Sequence, residues 1–201
     1  MAIFDRMTLY LVRHAKPSAG VEQMDPGLDA VGRSQADHVA RALRNVGALR
    51  LVSSPLRRAR ETAQPIANAL GLPIEIVNEV SEVFDQTMTI SDRRSMLTPF
   101  LSGRWSQQSE RLLAWREKLL AELVELGQKP TIVVSHLVAI SAAIGACTED
   151  DRITPCALAN ASITTLEVRS GRLMLRRLGE VAHLPPDEIT ASHALPSPSP
   201  P

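Results

Sequence analysis

Three features of this sequence predict an α/β fold, a three-layer αβα sandwich around a mostly parallel central sheet. Short, β-branched apolar runs alternate along the chain with stretches of helical periodicity, the pattern of strands joined by crossover helices. Several of those runs are continuously apolar, which suits strands buried on both faces. Three strands end in, or lead into, arginines or histidines, as if at the carboxyl edge of an open sheet where ligands bind.

Thr8-Leu9-Tyr10-Leu11-Val12 supplies the first strand, which ends at Arg13-His14 and is stopped by Pro17. A fixed cation beside a potential nucleophile suits the binding and attack of a phosphate. Taken alone, the same dipeptide reads equally as two solvated residues at a strand end. Residues 1–7 read as a leader, and Ser18 to Gly27 as a loop long enough to fold over a site. A helix opens at Leu28-Asp29-Ala30, keeps its spacing through Val31, Gln35, Val39, Leu43 and Val46, and stops at Gly47. His38 in that helix has no partner at ligand spacing and reads as a surface residue.

Leu49 to Ser53 forms the second strand. Ser54 is placed as the N-cap and Pro55 as the first residue of a helix that reaches about Leu70 and closes at Gly71. A short strand at Ile74 to Val77 precedes the acidic and apolar segment Asn78 to Asp85. Residues 91–103 hold one short helix limited by Pro99 and Gly103. A longer helix carries Leu112, Trp115, Leu119, Leu123 and Leu126 on one stripe and ends at Gly127. Thr131-Ile132-Val133-Val134-Ser135-His136 then repeats the opening pattern, and Leu137 to Ala146 suits a helix buried against the sheet. Ala161 to Val168 and Arg172 to Leu178, joined at Ser170-Gly171, form an antiparallel hairpin. Residues 1–184 make one domain, and the Pro- and Ser-rich stretch 185–201 reads as a disordered tail.

The 201 residues suffice for one domain with a sizeable core. Lys and Arg total 22, matched by 22 Asp and Glu, so no global basic field points to nucleic acid or an anionic membrane surface. Cys147 and Cys156 are too few for a disulfide framework and have no neighbours at zinc-ligand spacing. No apolar run reaches transmembrane length, and no secretory leader precedes the first strand. These readings predict a cytoplasmic protein without metal or cofactor, and leave its oligomeric state, a dimer included, open.

If the strands ending at Arg13-His14, at Ser53 and at Ser135-His136 are parallel neighbours, two histidines and at least two arginines converge on one pocket. Helix N-termini add backbone N–H groups that favour anions there. On these residues the chain resembles the histidine phosphatase superfamily, which includes the cofactor-dependent phosphoglycerate mutases. Leu11-Val12-Arg13-His14 is similar to the family's opening motif, and Ser53-Ser54-Pro55-Leu56-Arg57-Arg58-Ala59 with Thr62-Ala63 to its second. Val133-Val134-Ser135-His136 resembles the third, and Asn160-Ala161-Ser162-Ile163 the segment before the last hairpin. The resemblance runs from residue 8 to about 178 and implies a phosphoglycerate mutase-like fold.

It also implies a metal-free, two-step phosphoryl transfer. His14 would be the nucleophile, Arg13 and Arg58 would hold the phosphoryl oxygens, and His136 and the Leu137 backbone N–H would contact the same oxygens. Glu82 would be the general acid, with Glu79 and Asp85 as competing carboxylates and a solvated acidic loop as the plainer reading. Arg57 and Arg60 are expected on a charged helix face.

Ala15, Lys16 and Leu137 depart from the family pattern, as does Phe84-Asp85-Gln86-Thr87-Met88 after the acid. Lys16 would add positive charge at the rim. Leu137, Val83 and Phe84 would give the rim an apolar character suited to an organic leaving group. The segment between Glu82 and Thr131 is short, which favours hydrolysis of a small phosphomonoester over mutase chemistry. A protein phosphohistidine phosphatase, a mutase and an inactive phosphate-binding scaffold are the alternatives.

Overall fold

The structure is a computed structural model that describes residues 7–18, 25–83 and 97–190. Its strands are β1 (Thr8–Arg13), β2 (Arg50–Ser53), β3 (Ile74–Ile76), β4 (Thr131–Ser135), β5 (Ile163–Arg169) and β6 (Arg172–Glu180). They form one sheet in the order β3-β2-β4-β1-β5-β6. β3, β2, β4 and β1 run parallel, and the β5–β6 hairpin adds two antiparallel strands beside β1. β4 therefore lies between β1 and β2, and Arg13 pairs in register with Ser135.

Both faces of the central strands β1, β2 and β4 are covered, which is why these strands are buried almost without alternation, whereas the edge strands β3 and β6 are partly exposed. Leu9 and Leu11 of β1 join Leu119, Leu123 and Leu126 of helix α3 (Glu110–Leu126) and Ile140 and Ile144 of α4 (Leu137–Thr148). Val12, Ile132 and Val134 face the other way, onto Ala36, Val39 and Leu43 of α1 (Ala30–Leu43) and Ala59, Ala63 and Ile66 of α2 (Arg57–Leu70). No helix among the described residues is long and apolar enough to cross a membrane.

Several local expectations are adjusted. α1 begins at Ala30 because Asp29 is its N-cap and accepts the Gly32 N–H at 2.7 Å. α2 begins at Arg57, with Leu56 rather than Ser54 at the N-cap; Ser54 Oγ accepts the Leu56 N–H at 3.2 Å just before the helix, and Asp25 Oδ1 accepts the Arg57 N–H at 2.8 Å. Gly71 does close α2, in the left-handed conformation at φ 66°. A 3-10 turn occupies Asn78–Val80. Helical residues 97–101 fall inside the short helix expected over 91–103, whose earlier part lies outside the described residues.

The tail does not begin at Pro185. Residues 185–190 pack on α1, where Gln35 Nε2 donates to the Glu188 carbonyl at 2.6 Å and to Thr190 Oγ1 at 3.0 Å, and Ser34 Oγ donates to Glu188 Oε1 at 2.7 Å. Composition hid this, because the anchoring partners are far away in sequence. Residues 191–201 lie outside the described residues. Cys147 and Cys156 are free thiols, and burial pushes that of Cys147 up to about 11.

Candidate active site

His14 follows β1 directly, and its backbone N–H donates to the Ser135 carbonyl at 2.9 Å, continuing the parallel register past the strand end. Its ring Nδ1 lies 2.9 Å from the carbonyl oxygen of Ala15. A carbonyl only accepts, so Nδ1 carries the hydrogen and Nε2 holds the lone pair. Arg58 Nε donates to that Nε2 at 3.2 Å, which selects the same tautomer from the opposite side of the ring. Burial first, then the charges of Arg58 and Arg13, hold the His14 pKa well below 6.5. The ring is a neutral base at pH 7.

His136 follows β4 and is completely buried. Its centroid lies 5.1 Å from that of His14, with the rings inclined at 56°. Nε2 is 2.7 Å from Ser54 Oγ, and Nδ1 is buried with no partner among the described residues. Burial, then Arg58, His14 and Arg13, also hold this imidazole well below 6.5.

The two arginines arrive from different layers. Arg13 is 4% exposed, donates through its guanidinium to the Leu158 carbonyl, and keeps a buried Nε without partner among the described residues. Burial lowers its pKa to about 10, so it remains a cation near neutrality. Arg58 comes from the first turn of α2, and its NH1 lies 3.9 Å from Asp25 Oδ1. Arg57 and Arg60 are exposed as expected, Arg57 pairing with Glu61 at 2.7 Å.

Among the described residues, Glu82 is a buried carboxylate on which both arginines act. Its Oε1 accepts the Val83 N–H at 3.0 Å and its Oε2 lies 3.4 Å from the Val138 N–H in the first turn of α4. Desolvation raises its pKa above 4.5, only partly offset by the N–H groups of Val83 and Val138 and by Arg58 and Arg13. The loop that carries it is tied to β4, since Ser135 Oγ donates to the Val80 carbonyl at 2.6 Å. Glu79 is exposed in the 3-10 turn, and its charge acts on Glu122 of α3. Asp85 lies outside the described residues.

Two rim expectations change. Lys16 Nζ is 2.9 Å from Asp29 Oδ2, so its charge is offset at the α1 cap. Leu137 stands at the first position of α4, and its side chain, like that of Val83, packs against the apolar core instead of forming a rim. Phe84 is outside the described residues.

The supports include Thr62 and Asn160, which the motif matches contained but to which the sequence assigned no role. Ala15 N–H donates to Thr62 Oγ1 at 3.0 Å, and Thr62 Oγ1 donates to the Arg58 carbonyl at 2.7 Å, which joins the nucleophile loop to α2. Asn160 Nδ2 donates to the His14 carbonyl at 3.2 Å, and Gln35 Oε1 accepts the Lys16 N–H at 2.8 Å. A Cβ on Gly32 would stand 2.1 Å from the Lys16 carbonyl oxygen, so only glycine lets α1 approach this loop so closely. The arrangement combines a neutral imidazole lone pair, two cations, a second buried imidazole and a carboxyl of raised pKa, a set able to transfer a phosphoryl group.

Residues 9–181 match the histidine phosphatase superfamily (branch 1). A probable phosphoglycerate mutase of Escherichia fergusonii is 27% identical over an alignment 206 positions long, covering 89% of this chain and 95% of that one. Among solved structures, a phosphoserine phosphatase from Entamoeba histolytica, crystallised with 3-phosphoglyceric acid, superposes with a TM-score of 0.70 at 26% identity, covering 88% of this chain and 98% of that one. A mycobacterial glucosyl-3-phosphoglycerate phosphatase shares the fold, with a TM-score of 0.67 at 22% identity over 88% of this chain and 99% of that one. Because the match spans both histidine-ended strands, the second motif and the closing hairpin, this chain belongs to the histidine phosphatase superfamily.

Proposed function

We propose that this protein is a phosphatase that hydrolyses a small phosphomonoester through a phosphohistidine on His14. One observation carries the reading: Nε2 of His14 holds its lone pair beside Arg58 because Nδ1–H is bonded to the Ala15 carbonyl. In the first step Nε2 attacks phosphorus, the bond from phosphorus to the ester oxygen breaks, and that oxygen takes the proton of Glu82. Arg13, Arg58 and His136 hold the oxygens on which charge is spread. In the second step the Glu82 carboxylate takes a proton from water, the water oxygen attacks phosphorus, and the N–P bond breaks. Inorganic phosphate leaves and both side chains return to their starting states.

A second reading is phosphoglycerate mutase activity, favoured by the name of the Escherichia fergusonii relative. The short stretch between Glu82 and Thr131 supports hydrolysis instead, since a mutase must keep water from its phosphoenzyme. The test is phosphate release from p-nitrophenyl phosphate in excess EDTA, wild type against His14→Ala. Phosphoserine, 3-phosphoglycerate and glucosyl-3-phosphoglycerate follow as natural esters, together with a 3- to 2-phosphoglycerate interconversion assay. An active wild type and a silent variant support the reading. Equal rates overturn it, and interconversion faster than release selects the mutase.

A further inference from the structure

Ser54 and His136 meet across 82 residues of sequence, both with no measurable exposure. Ser54 Oγ accepts the Leu56 N–H at 3.2 Å and lies 2.7 Å from His136 Nε2 and 3.4 Å from Ser81 Oγ. A hydroxyl has a single hydrogen to give. At 2.7 Å the histidine contact has the length of a bond donated by a hydroxyl and is short for one donated by a ring N–H, whereas 3.4 Å to Ser81 is long for an O–H donor. The geometry therefore sends the Ser54 hydrogen to His136 Nε2, and a neutral ring that accepts at Nε2 carries its own hydrogen on Nδ1.

We propose that Ser54 is a positioning residue that holds His136 as the Nδ1–H tautomer, so that this ring presents an N–H donor to the oxygens of a bound phosphoryl group. Nδ1 is the ring atom left for that task, being buried and without partner among the described residues. The other tautomer would turn a bare lone pair toward an anion, which repels it. His14 and His136 thus share one tautomer and perform opposite tasks. The Ala15 carbonyl takes the Nδ1 hydrogen of His14 and frees its Nε2 to attack; the Ser54 hydroxyl occupies Nε2 of His136 and frees its Nδ1–H to donate. The last step of the inference, donation to phosphoryl oxygen, rests on the phosphatase reading; the tautomer itself does not.

The test is heteronuclear NMR on the full-length resting protein, correlating ring protons with ring nitrogens, with His136 assigned by comparison with His136→Gln. The expected result is hydrogen on Nδ1 and a bare Nε2 at His136. Hydrogen on Nε2 in the wild type overturns the proposal. Ser54→Ala is expected to move the ring toward the Nε2–H form that free imidazole favours, to lower kcat/KM about tenfold and to weaken inhibition by inorganic phosphate, with Ser54→Thr restoring all three. A Ser54→Ala protein that keeps both the Nδ1–H signature and wild-type kcat/KM also overturns it. A wild type silent toward every ester but with Nδ1–H intact supports the tautomer and overturns the phosphatase reading.

Discussion

Nε of Arg58 lies 3.2 Å from Nε2 of His14, so a guanidinium N–H rests on the lone pair that would attack phosphorus. Burial first, and then the charges of Arg58 and Arg13, keep the ring neutral. In the proposed reaction the Arg58 donor would pass from nitrogen to a phosphoryl oxygen as the ester binds, exposing the lone pair.

Removing that guanidinium is therefore expected to cost both substrate alignment and transition-state charge. Arg58→Ala should lower kcat/KM by about 100- to 1,000-fold. Arg58→Lys should recover little, since an ammonium cannot place forked donors on two oxygens. Arg60→Ala, on the exposed face of the same helix turn, should stay within about twofold of wild type, as expected for a surface substitution away from the site. Initial rates with p-nitrophenyl phosphate decide, and equal losses at 58 and 60 would remove Arg58 from the site.

The pH profile follows from two opposite shifts. His14 lies well below 6.5, so it stays neutral and nucleophilic as the pH falls past the ordinary histidine range. Glu82 lies above 4.5, so it stays protonated further up in pH and loses its proton as the pH climbs through that raised value. Activity toward alkyl phosphates is expected to peak on the acid side of neutrality and to fall on the alkaline limb. Glu82→Gln should abolish that limb and cost about 100-fold or more with alkyl esters, but much less with p-nitrophenyl phosphate, whose leaving group needs no proton. An unchanged alkaline limb in Glu82→Gln would reassign the acid.

Stability should carry the mark of the same histidines. Their folded pKa values are depressed, so below 6.5 the unfolded chain binds protons that the folded one refuses. Stability is then fully present above 6.5 and is lost as the pH falls below it, by up to about 1.4 kcal/mol per pH unit for each histidine. Glu82, with its raised pKa, acts in the opposite direction, so the histidine contribution is read as a difference between proteins. His14→Gln and His136→Gln should each flatten the fall of the unfolding free energy between about pH 6.5 and 5. Parallel curves for wild type and both variants would contradict the buried neutral assignment.

The segment 185–190 ties down the loop that carries the nucleophile. Gln35 joins the Lys16 N–H to Glu188 and Thr190, while Thr190 Oγ1 reaches Asn160 Oδ1 at 3.3 Å and Asn160 in turn holds the His14 carbonyl. Truncation after Leu184 leaves the buried Gln35 amide without these acceptors, at a cost of about 1–3 kcal/mol. The melting temperature should fall by several degrees, roughly 2–4 °C per kcal/mol in a domain of this size, and kcat should fall with it. A truncated protein that melts and turns over like wild type would show that the segment is not anchored as described.

The alternation of strands and helices, the two histidine-ended strands, the arginine-rich start of α2 and the closing hairpin were all legible in the residues alone. Each is written in periodicity or in a few adjacent residues, which local backbone preferences can express. Arg58 among three arginines and Glu82 among three carboxylates were singled out only through the resemblance to the family's motifs, by register after Ser54-Pro55-Leu56 and by position after β3.

The pairings across long separations come from the packed fold. β4 entering between β1 and β2 brings His136 5.1 Å from His14. Ser54 reaches a histidine 82 positions away while still accepting the Leu56 N–H beside its own helix, Lys16 is turned to Asp29, and Leu137 packs half-buried against the core. The last residues before 191 are held by Gln35 across 153 positions. A hydroxyl, an ammonium or an amide has several partners of nearly equal local merit. The choice among them falls to whichever the packed sheet brings within about 3 Å and shields from water.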